Sequence, residues 1–282
     1  MTLLAPSGSR GSDLTSTDDR DNRDQWALVT GASSGIGKAL AHEFAAEGYH
    51  LFLTARNRQA LEAVASDCAA KFAVQTRIHL ADLTRHDDID SLIAAVSTEP
   101  LPFEVLVNNA GFGVKGTFLG TDLDQELGMV SVQVDAVLKL TKAVAPGMVA
   151  RKHGHILNIA SVYSFAPVPY QTVYGACKSF LWSFSAALRA ELSGTGVTVT
   201  VLCPGVTQTE FRSRAGIPER NRSAGVTAEH VARIAAKHTL RGDLIIVPGL
   251  PNKLFVFMAR HLPISVFHHF ITLVNNLRGV NR

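Results

Sequence analysis

The chain has 282 residues, of which 46% are hydrophobic and 18% are charged, with a formal net charge of +3. This length fits one large or two small domains with a sizeable apolar core, and so small a net charge gives no support to nucleic-acid binding. Three widely spaced cysteines indicate neither a disulfide framework nor a metal cluster, and they favour a reducing, cytoplasmic compartment. His153 and His155 have no carboxylate or cysteine near them in the sequence, which predicts surface residues rather than metal ligands.

The first predicted strand leads into a glycine-rich turn. Residues 1–24 are rich in Ser, Asp, Arg and Gly, which predicts a flexible tail without the apolar segment of a secretory signal. WALVT (Trp26–Thr30) then predicts a buried strand, and TGASSGIG follows it directly. Glycines at 31, 35 and 37 permit a tight turn and close approach of the backbone to a pyrophosphate. The helix predicted over 36–47 directs its N-terminal amides at the same place, so the pattern predicts a dinucleotide site.

The second predicted strand, His50–Ala55, ends where dinucleotide-binding folds place an acidic residue for the ribose 2′-hydroxyl. The sequence has Ala55 at this position, followed by Arg56 and Arg58. A guanidinium pairs well with a phosphate, and no carboxylate is there to repel one. The pattern therefore favours NADP over NAD. The alternative is that Arg56 is a solvated residue that opens the next helix.

Strands and helices continue to alternate along the chain. Helices are predicted over 58–70, 87–97 and 124–150, and strands over 74–80, 103–107, 155–160, 197–203 and 244–247. Strands separated by helices of ten or more residues predict a parallel sheet covered by helices on both faces. Ligands of such sheets bind beyond the carboxyl ends of the strands. The glycine turn, Asp82, the NNAG turn at 108–111, Ser161 and Pro204-Gly205 all fall at those ends.

Three polar residues indicate proton chemistry. Ser161 follows the strand over 155–160, and a helix starting near Thr172 places Tyr174 and Lys178 one turn apart on one face. An ammonium beside a phenol stabilises the phenolate and lowers its pKa, towards the range that suits acid–base transfer. A serine hydroxyl opposite can hold a carbonyl oxygen. The alternative is that Tyr174 is a core residue and Lys178 a solvated one, because this short spacing arises on many helices.

Together, TGASSGIG, NNAG, the Ser161/Tyr174/Lys178 spacing and PGVTQT resemble the motifs of the classical short-chain dehydrogenase/reductase family, in its order and over roughly residues 25–250. The resemblance implies an α/β fold: a Rossmann-type, doubly wound sheet of about seven parallel strands with helices on both faces. It also implies assembly as a homodimer or homotetramer. Within the family, the placement of Arg56 is similar to that of the NADP-preferring members.

The resemblance also implies a role for each site residue. Tyr174 would be the general acid/base, Lys178 would lower its pKa and bind the ribose, and Ser161 would orient the substrate oxygen. The implied cofactor-binding residues are Gly31, Ser33, Ser34, Gly35, Ile36 and Gly37 of the phosphate loop, Arg56 and Asp82 at the adenosine end, Asn109 and Gly111 along the adenosine side, Val206 and Thr209 at the nicotinamide carboxamide, and Tyr174 and Lys178.

One position departs from the family pattern. The family usually has an asparagine in the long helix that supports a water-linked proton relay to the lysine, and this sequence has Gln133 there. The extra methylene requires the amide to fold back or the relay to shift. We expect a retained but modified relay with Gln133 among the catalytic residues. The alternative is a non-catalytic protein that binds NADP and acts through its C-terminal helix.

The segments after Pro204-Gly205 predict the substrate side of the site. The polar stretch 207–226 is long enough to form a lid over the nicotinamide, and its arginines either meet an acidic substrate or lie in solvent. An apolar pocket wall is predicted from Phe112, Val162, Phe165 and Phe211. Such a wall indicates a small apolar carbonyl or alcohol as substrate. The sequence therefore predicts an NADP(H)-dependent oxidoreductase that interconverts a carbonyl and an alcohol by hydride transfer.

Residues 251–282 predict an apolar helical extension beyond the catalytic domain at 25–250. Ile264, Phe267, Phe270, Ile271 and Val274 share one helical stripe. Three alternatives remain for this stripe: it packs on the body or on a partner subunit, it covers the substrate channel, or it lies on a membrane surface. No run is long enough to span a bilayer, so the third alternative predicts peripheral contact only.

Overall fold

A parallel sheet forms the centre of the molecule. The computed structural model describes residues 24–98, 101–215, 225–263 and 265–267. Its strands are β1 (Trp26–Thr30), β2 (His50–Ala55), β3 (Thr76–Leu80), β4 (Phe103–Asn108), β5 (Gly154–Ile159), β6 (Val197–Leu202), β7 (Thr207–Gln208), β8 (Val226–Thr227) and β9 (Ile245–Ile246). Seven of them form one sheet in the order β3-β2-β1-β4-β5-β6-β9, and each neighbouring pair is parallel. The predicted Rossmann-type doubly wound sheet is confirmed.

Helices cover both faces of this sheet. They are α1 (Gly35–Ala46), α2 (Arg58–Phe72), α3 (His86–Thr98), α4 (Leu123–Val130), α5 (Ala136–Arg151), α6 (Thr172–Glu191), α7 (Phe211–Arg214), α8 (Ala228–Leu240) and α9 (Leu250–His261). Ala27 and Val29 of β1 belong to the core formed with α1, α2 and α8. Trp26 and Leu28 belong to the core formed with α3 and α5. Successive side chains of a strand point to opposite faces, so β1 is apolar throughout because both of its faces are buried.

The long helix predicted over 124–150 is divided in the structure. α4 ends at Val130, a π-helical turn follows over Ser131–Asp135, and α5 continues from Ala136. The extra residue of a π turn re-aims the side chains on it, and such turns are frequent at functional sites. This turn carries Gln133.

α8 is absent from the predicted elements. Its first turn is capped by Thr227, whose side chain accepts a hydrogen bond from the backbone N–H of His230. Its buried residues Val231, Ala232, Ala235 and Ala236 pack into the same core as α1. The missed signal is this cap followed by small apolar residues at helical spacing.

The two histidines near the start of β5 are not the surface residues that the sequence predicts. His155 is buried, its Nδ1 lies 2.8 Å from Oγ1 of Thr198, and burial lowers its pKa to about 4. His153 is half-buried, with its Nδ1 2.8 Å from Oε2 of the buried Glu104. Glu104 is distant in sequence, so only the parallel pairing of β4 with β5 brings it to this histidine.

The two ends of the chain are only partly described. Residues 1–23, which hold nearly all of the predicted tail, lie outside the described residues, as do Ile264, Phe270, Ile271 and Val274 of the predicted stripe. Phe267 of that stripe is buried, with its ring centroid 5.4 Å from that of Phe255 on α9. Among the described residues, no helix is both long enough and apolar enough to cross a membrane.

Candidate active site

The predicted catalytic side chains meet at the carboxyl end of β5. Ser161 follows this strand by two residues, and α6 presents Tyr174 and Lys178 beside it. Tyr174 and Ser161 share a side-chain hydrogen bond. The Nζ of Lys178 lies 5.5 Å from the centroid of the Tyr174 ring. All three side chains are buried, which excludes the alternative that Lys178 is a solvated surface residue.

A short 3-10 helix over Val162–Phe165 fixes Ser161 against α6. The Ser161 hydroxyl caps this turn by accepting a hydrogen bond from the backbone N–H of Tyr163 at 3.2 Å. The turn is tied to α6 because Ser164 Oγ donates to the backbone carbonyl of Lys178 at 2.8 Å. Ser179 Oγ in turn donates to the carbonyl of Ser164 at 3.2 Å. Because the Ser161 oxygen is the acceptor in its bond with the N–H of Tyr163, the hydroxyl hydrogen of Ser161 remains available to a substrate or to the phenol of Tyr174.

A buried polar chain holds the same elements together beneath the site. Asn108 at the end of β4 donates from Nδ2 to Oδ1 of Asn158 on β5 at 2.8 Å. Asn158 donates in turn to Oγ of Ser185 on α6 at 2.8 Å. Buried polar groups are costly unless they are paired, so this chain allows little freedom in how β4, β5 and α6 are placed.

Burial controls the protonation of Tyr174. It raises the pKa of the phenol above its ordinary value, and the nearby Tyr163 and Cys177 act in the same direction. The hydrogen bond with Ser161 opposes this rise without cancelling it. Desolvation therefore decides the net direction of the shift, and Lys178 is not among its causes, so a lowering of the phenol pKa by Lys178 stays a prediction. Tyr174 is a neutral phenol near neutral pH and so a proton donor.

Lys178 is anchored to the last residue of β5. Its Nζ donates a hydrogen bond to the carbonyl oxygen of Ile159 at 2.8 Å. Burial lowers the pKa of Lys178 to about 8, and the thiols of Cys177 and Cys203 partly oppose this. The side chain is therefore mainly an ammonium at neutral pH, held where the backbone of β5 ends.

Gln133 reaches the loop after β4. Its Nε2 donates to the carbonyl oxygen of Phe112 at 3.1 Å. Its Oε1 is buried, has no hydrogen-bond partner among the described residues, and packs against Gly111, where a Cβ would lie 3.3 Å away. The amide that replaces the family's asparagine thus contacts the predicted cofactor turn directly.

The glycine turn and the NNAG turn are interlocked. Gly31 and Gly35 have φ angles of 66° and 57°, in the left-handed region that favours glycine. A Cβ on Gly37 would collide with Nδ2 of Asn109 and with the carbonyl of Gly31. Asn109 Nδ2 also donates to the carbonyl oxygen of Thr30 at 2.8 Å. These contacts form a close-packed backbone cradle that side chains at the glycine positions would fill.

The N-terminus of α1 faces this cradle and suits an anion. Ser34 is its N-cap, makes no side-chain capping bond, and is followed by a first turn without acidic residues. The first amides of a helix have no intrahelical partner and carry partial positive charge, so they bind phosphate readily. Thr209 lies over the turn, with its methyl carbon 3.1 Å from the Cβ position of Gly35. Ser33 and Ile36 are partly buried here, and Val206 is exposed nearby in sequence. The cradle therefore fits the diphosphate of a dinucleotide.

An ion pair marks the predicted adenosine end. Arg56 Nη1 lies 3.7 Å from Oδ2 of Asp82, so two residues predicted separately are in contact. Asp82 also accepts hydrogen bonds from the backbone N–H and the hydroxyl of Thr84. Partly exposed ion pairs of this kind contribute little to stability. Arg56 can therefore exchange this carboxylate for a phosphate at small energetic cost.

Aromatic rings flank the phenol of Tyr174. The centroid of Phe211 on α7 lies 5.5 Å from that of Tyr174, and Tyr163 stands edge-on at 6.4 Å. Phe211 rests on Gly113, where a Cβ would come within 3.1 Å of its ring. Tyr163 is a site residue that the sequence does not single out, because its ring reaches Tyr174 only through the 3-10 turn.

The predicted four-residue pocket wall is only partly correct. Phe165 turns away, with its ring centroid 5.2 Å from that of Trp182, and joins a core between α6 and β6. Phe112 packs into the core with α3 and α5, and Val162 is buried in the 3-10 turn. Phe211 alone of the four is shown against Tyr174. Of the predicted lid, residues 216–224 lie outside the described residues, as do the side chains of Arg212 and Arg214.

The fold and this site together define a dinucleotide-dependent dehydrogenase or reductase. The chain belongs to the short-chain dehydrogenase family, since the family model described as "short chain dehydrogenase" matches residues 25–219. Its members use NAD(P)(H), so the chain is an oxidoreductase of that family. The motifs that resemble this family thus identify it correctly.

Relatives of known name agree with this assignment. A very-long-chain 3-oxoacyl-CoA reductase of Anas platyrhynchos is 38% identical over 183 residues, which cover 64% of this chain and 58% of that protein. The match thus spans less than two thirds of that relative's length. A dehydrogenase/reductase SDR family protein 7-like of Anopheles gambiae is 32% identical and covers 85% of this chain and 80% of its own. A short-chain dehydrogenase structure from Sphingobium yanoikuyae in complex with NADPH is 30% identical, with a TM-score of 0.76 over 91% of this chain and 94% of that one.

Proposed function

We propose that the protein is an NADPH-dependent reductase that converts a ketone on an apolar substrate into an alcohol, with Tyr174 as general acid. One observation carries the proposal: Tyr174 is a buried, neutral phenol that shares a hydrogen bond with Ser161. Reduction of a ketone requires a proton donor at the oxygen. Oxidation of an alcohol would require the phenolate, which burial disfavours.

The chain's own residues divide the work at the substrate oxygen. The Ser161 oxygen already accepts a hydrogen bond from Tyr163, so its hydrogen can be donated to the carbonyl oxygen. NADPH, when bound, would supply the hydride that the carbonyl carbon accepts. As the C=O bond becomes a C–O single bond, the oxygen takes the phenolic proton of Tyr174. The ammonium of Lys178 then lies beside the phenolate that remains.

NADP is supported as the preferred cofactor by charges at the end of β2. Ala55 supplies no carboxylate to repel a 2′-phosphate. The neighbouring Arg56 is held only by a partly exposed ion pair with Asp82. A doubly charged phosphate attracts a guanidinium more strongly than one carboxylate does, so Arg56 would move to the phosphate. The solved relative with bound NADPH agrees with this preference.

The proposed substrate is a ketone on an apolar chain. Phe211 and Tyr163 place aromatic surface beside the phenol, which favours an apolar substituent beside the carbonyl. Several relatives are named very-long-chain 3-oxoacyl-CoA reductases, so a 3-oxoacyl thioester is the first compound to test. As in the family generally, we expect a homodimer or homotetramer.

Gln133 is proposed to support a modified proton relay. Its Nε2 holds the carbonyl of Phe112, and its buried Oε1 can accept a hydrogen bond from a water molecule. Gln133→Asn would restore the family's residue and should leave turnover unchanged or raise it. Complete loss of turnover, with NADPH binding intact, would show that the relay depends on the longer side chain.

Turnover by the Tyr174→Phe variant tests the main proposal. The enzyme is assayed by loss of NADPH absorbance with a panel of ketones that includes a 3-oxoacyl thioester. Removal of the hydroxyl should lower kcat by roughly 10²–10⁴-fold, the usual contribution of general acid catalysis, while NADPH binding measured by fluorescence stays unchanged. Tyr163→Phe removes a neighbouring hydroxyl and is the matched control, with a much smaller expected effect. If the wild type binds NADPH but reduces no ketone, the protein is the non-catalytic NADP-binding alternative.

A further inference from the structure

The segment that follows β6 joins two parts of the candidate active site. Residues 204–209 begin at the 3-10 turn, since the backbone N–H of Val162 donates to the carbonyl oxygen of Pro204 at 3.1 Å. They end at the cofactor cradle, where the methyl carbon of Thr209 lies 3.1 Å from the Cβ position of Gly35. A displacement of this segment would therefore disturb both the 3-10 turn and the glycine turn.

Gly205 in this segment is required by a contact rather than by its backbone conformation. It does not belong to the glycines with a positive φ angle, so the backbone itself would accept alanine. A Cβ at this position would instead collide with Oδ1, Cγ and Nδ2 of Asn252, which are the three atoms nearest to it. The glycine thus makes room for the side-chain amide of Asn252 on α9.

Asn252 is itself fixed by the end of a neighbouring strand. Its Nδ2 donates a hydrogen bond to the carbonyl oxygen of Pro248 at 2.6 Å, and its side chain is partly buried. Pro248 follows β9 by two residues. Because β9 pairs with β6, the amide of Asn252 lies between the segments that continue from two paired strands.

α9 is held to the body of the protein by few contacts. Of its twelve residues, all of which the structure describes, only Val256 is buried. Near the other end of the helix, Arg260 lies over the Trp182 ring at 5.9 Å. Trp182 packs in turn on Phe165 of the 3-10 turn, with ring centroids 5.2 Å apart. With so little apolar burial, the polar contact of Asn252 is a main determinant of where the helix begins.

We propose that Asn252 is a positioning residue of the active site. Its amide determines where residues 204–209 lie and, through them, how the 3-10 turn that carries Ser161 is placed relative to the cofactor cradle. The first helix of the C-terminal extension is then part of the catalytic unit. The inference rests on the proposed function where it concerns turnover, whereas its effect on cofactor affinity requires only that the protein binds a dinucleotide.

A double-mutant cycle of Gly205→Ala and Asn252→Ala in the full-length chain tests this role. Gly205→Ala alone should lower NADPH affinity roughly tenfold in a fluorescence titration, because the new methyl group and the Asn252 amide cannot both keep their places. Asn252→Ala removes the obstructing atoms, so the double variant should bind NADPH within about twofold of Asn252→Ala alone. Asn252→Ala alone should lower kcat with a ketone by roughly tenfold and change KM less, since small misplacements of positioned groups slow the reaction strongly.

Lys253→Ala is the matched control, because Lys253 is the next residue of α9 and is exposed; it should leave both affinity and turnover unchanged. Losses that simply multiply in the double variant would overturn the proposal, as would an Asn252→Ala variant equal to the wild type in both measurements.

Two further outcomes are also decisive. If circular dichroism shows that Gly205→Ala does not fold, recovery of folding in the double variant supports the same contact, and no recovery overturns it. If the wild type binds NADPH but reduces no ketone, the reaction proposed above is wrong, and the affinities in the cycle alone decide the role of Asn252.

Discussion

Lys178→Met should stabilise the protein while it abolishes activity. Burial lowers the pKa of Lys178 from 10.5 to about 8, so the folded protein holds this ammonium less favourably than the unfolded chain does. At about 1.4 kcal/mol per pKa unit, the shift corresponds to about 3 kcal/mol of stability lost near neutral pH. Methionine has a similar shape and no charge.

The gain is reduced by one broken hydrogen bond. Lys178 Nζ is a donor to the carbonyl oxygen of Ile159, and removing a donor from a buried acceptor costs about 1–3 kcal/mol. The expected net stabilisation is therefore between about 0 and 2 kcal/mol near neutral pH. For a domain of this size that is a rise in Tm of at most roughly 6 °C.

The dependence on pH identifies the cause of the stabilisation. Below pH 8 the lysine is charged in both the folded and the unfolded chain, so the full penalty applies. Between 8 and 10.5 the folded protein releases the proton while the unfolded chain keeps it, so the stability of the wild type rises with pH. The advantage of Lys178→Met should therefore shrink across this range and reverse above it, where only the cost of the lost hydrogen bond to Ile159 remains.

Denaturant unfolding of both proteins at several pH values provides the measurement. Lys142→Met, which changes an exposed lysine of α5, is the control and should change stability by less than about 0.5 kcal/mol. A Lys178→Met variant that is less stable than the wild type near neutral pH would refute the reasoning. So would a difference in stability that is the same at pH 7 and above pH 10.5.

Three further outcomes follow from the site. Gly37→Ala should lower NADPH affinity at least about tenfold in a fluorescence titration, because its Cβ would collide with Asn109 and the turn backbone. Gly147→Ala on α5 is the control: its Cβ would contact only the flexible end of an arginine side chain, so this variant should bind NADPH normally. Arg56→Ala should weaken the binding of NADPH by roughly tenfold or more and leave the binding of NADH unchanged, so the two titrations serve as each other's control. Equal losses of affinity for the two cofactors would contradict the NADP preference. The kcat for reduction should stay level from pH 6 to about 7 and fall through about pH 8, as the Lys178 ammonium is lost while the Tyr174 phenol keeps its proton. A fall below pH 7 would contradict this assignment.

Much of the fold could be predicted because its strands are apolar and are separated by helices. The strand over His50–Ala55 has the predicted bounds, since it is buried on both faces and ends at an arginine. The glycine turn was predictable because positive φ angles and a close backbone approach leave few other choices. Motif order was sufficient to place Ser161, Tyr174 and Lys178 together, because parallel strands end at one edge.

Features that depend on tertiary packing could not be read from the sequence. The π turn at Ser131–Asp135 interrupts a continuous helical pattern. The direction of the Tyr174 pKa shift depends on how much water the surrounding elements exclude, which no local spacing reveals. Phe165 could face either the pocket or α6 from its position after Ser161, and packing against Trp182 decides it.

The opposite pKa shifts of Tyr174 and Lys178 have a common consequence for catalysis. Before proton transfer, the site holds a neutral phenol and an ammonium, so no ion pair stabilises the ground state. After transfer, a phenolate faces that ammonium. The Nζ of Lys178 lies 5.5 Å from the centroid of the Tyr174 ring, and two opposite charges at about that separation attract each other by about 3 kcal/mol at an effective dielectric constant of about 20. Because this attraction grows only as the proton leaves, it acts on the transition state rather than on the bound substrate, and it can contribute on the order of a hundredfold in rate. In the proposed reaction, the residue that destabilises the folded protein is thus the one that favours proton transfer from Tyr174.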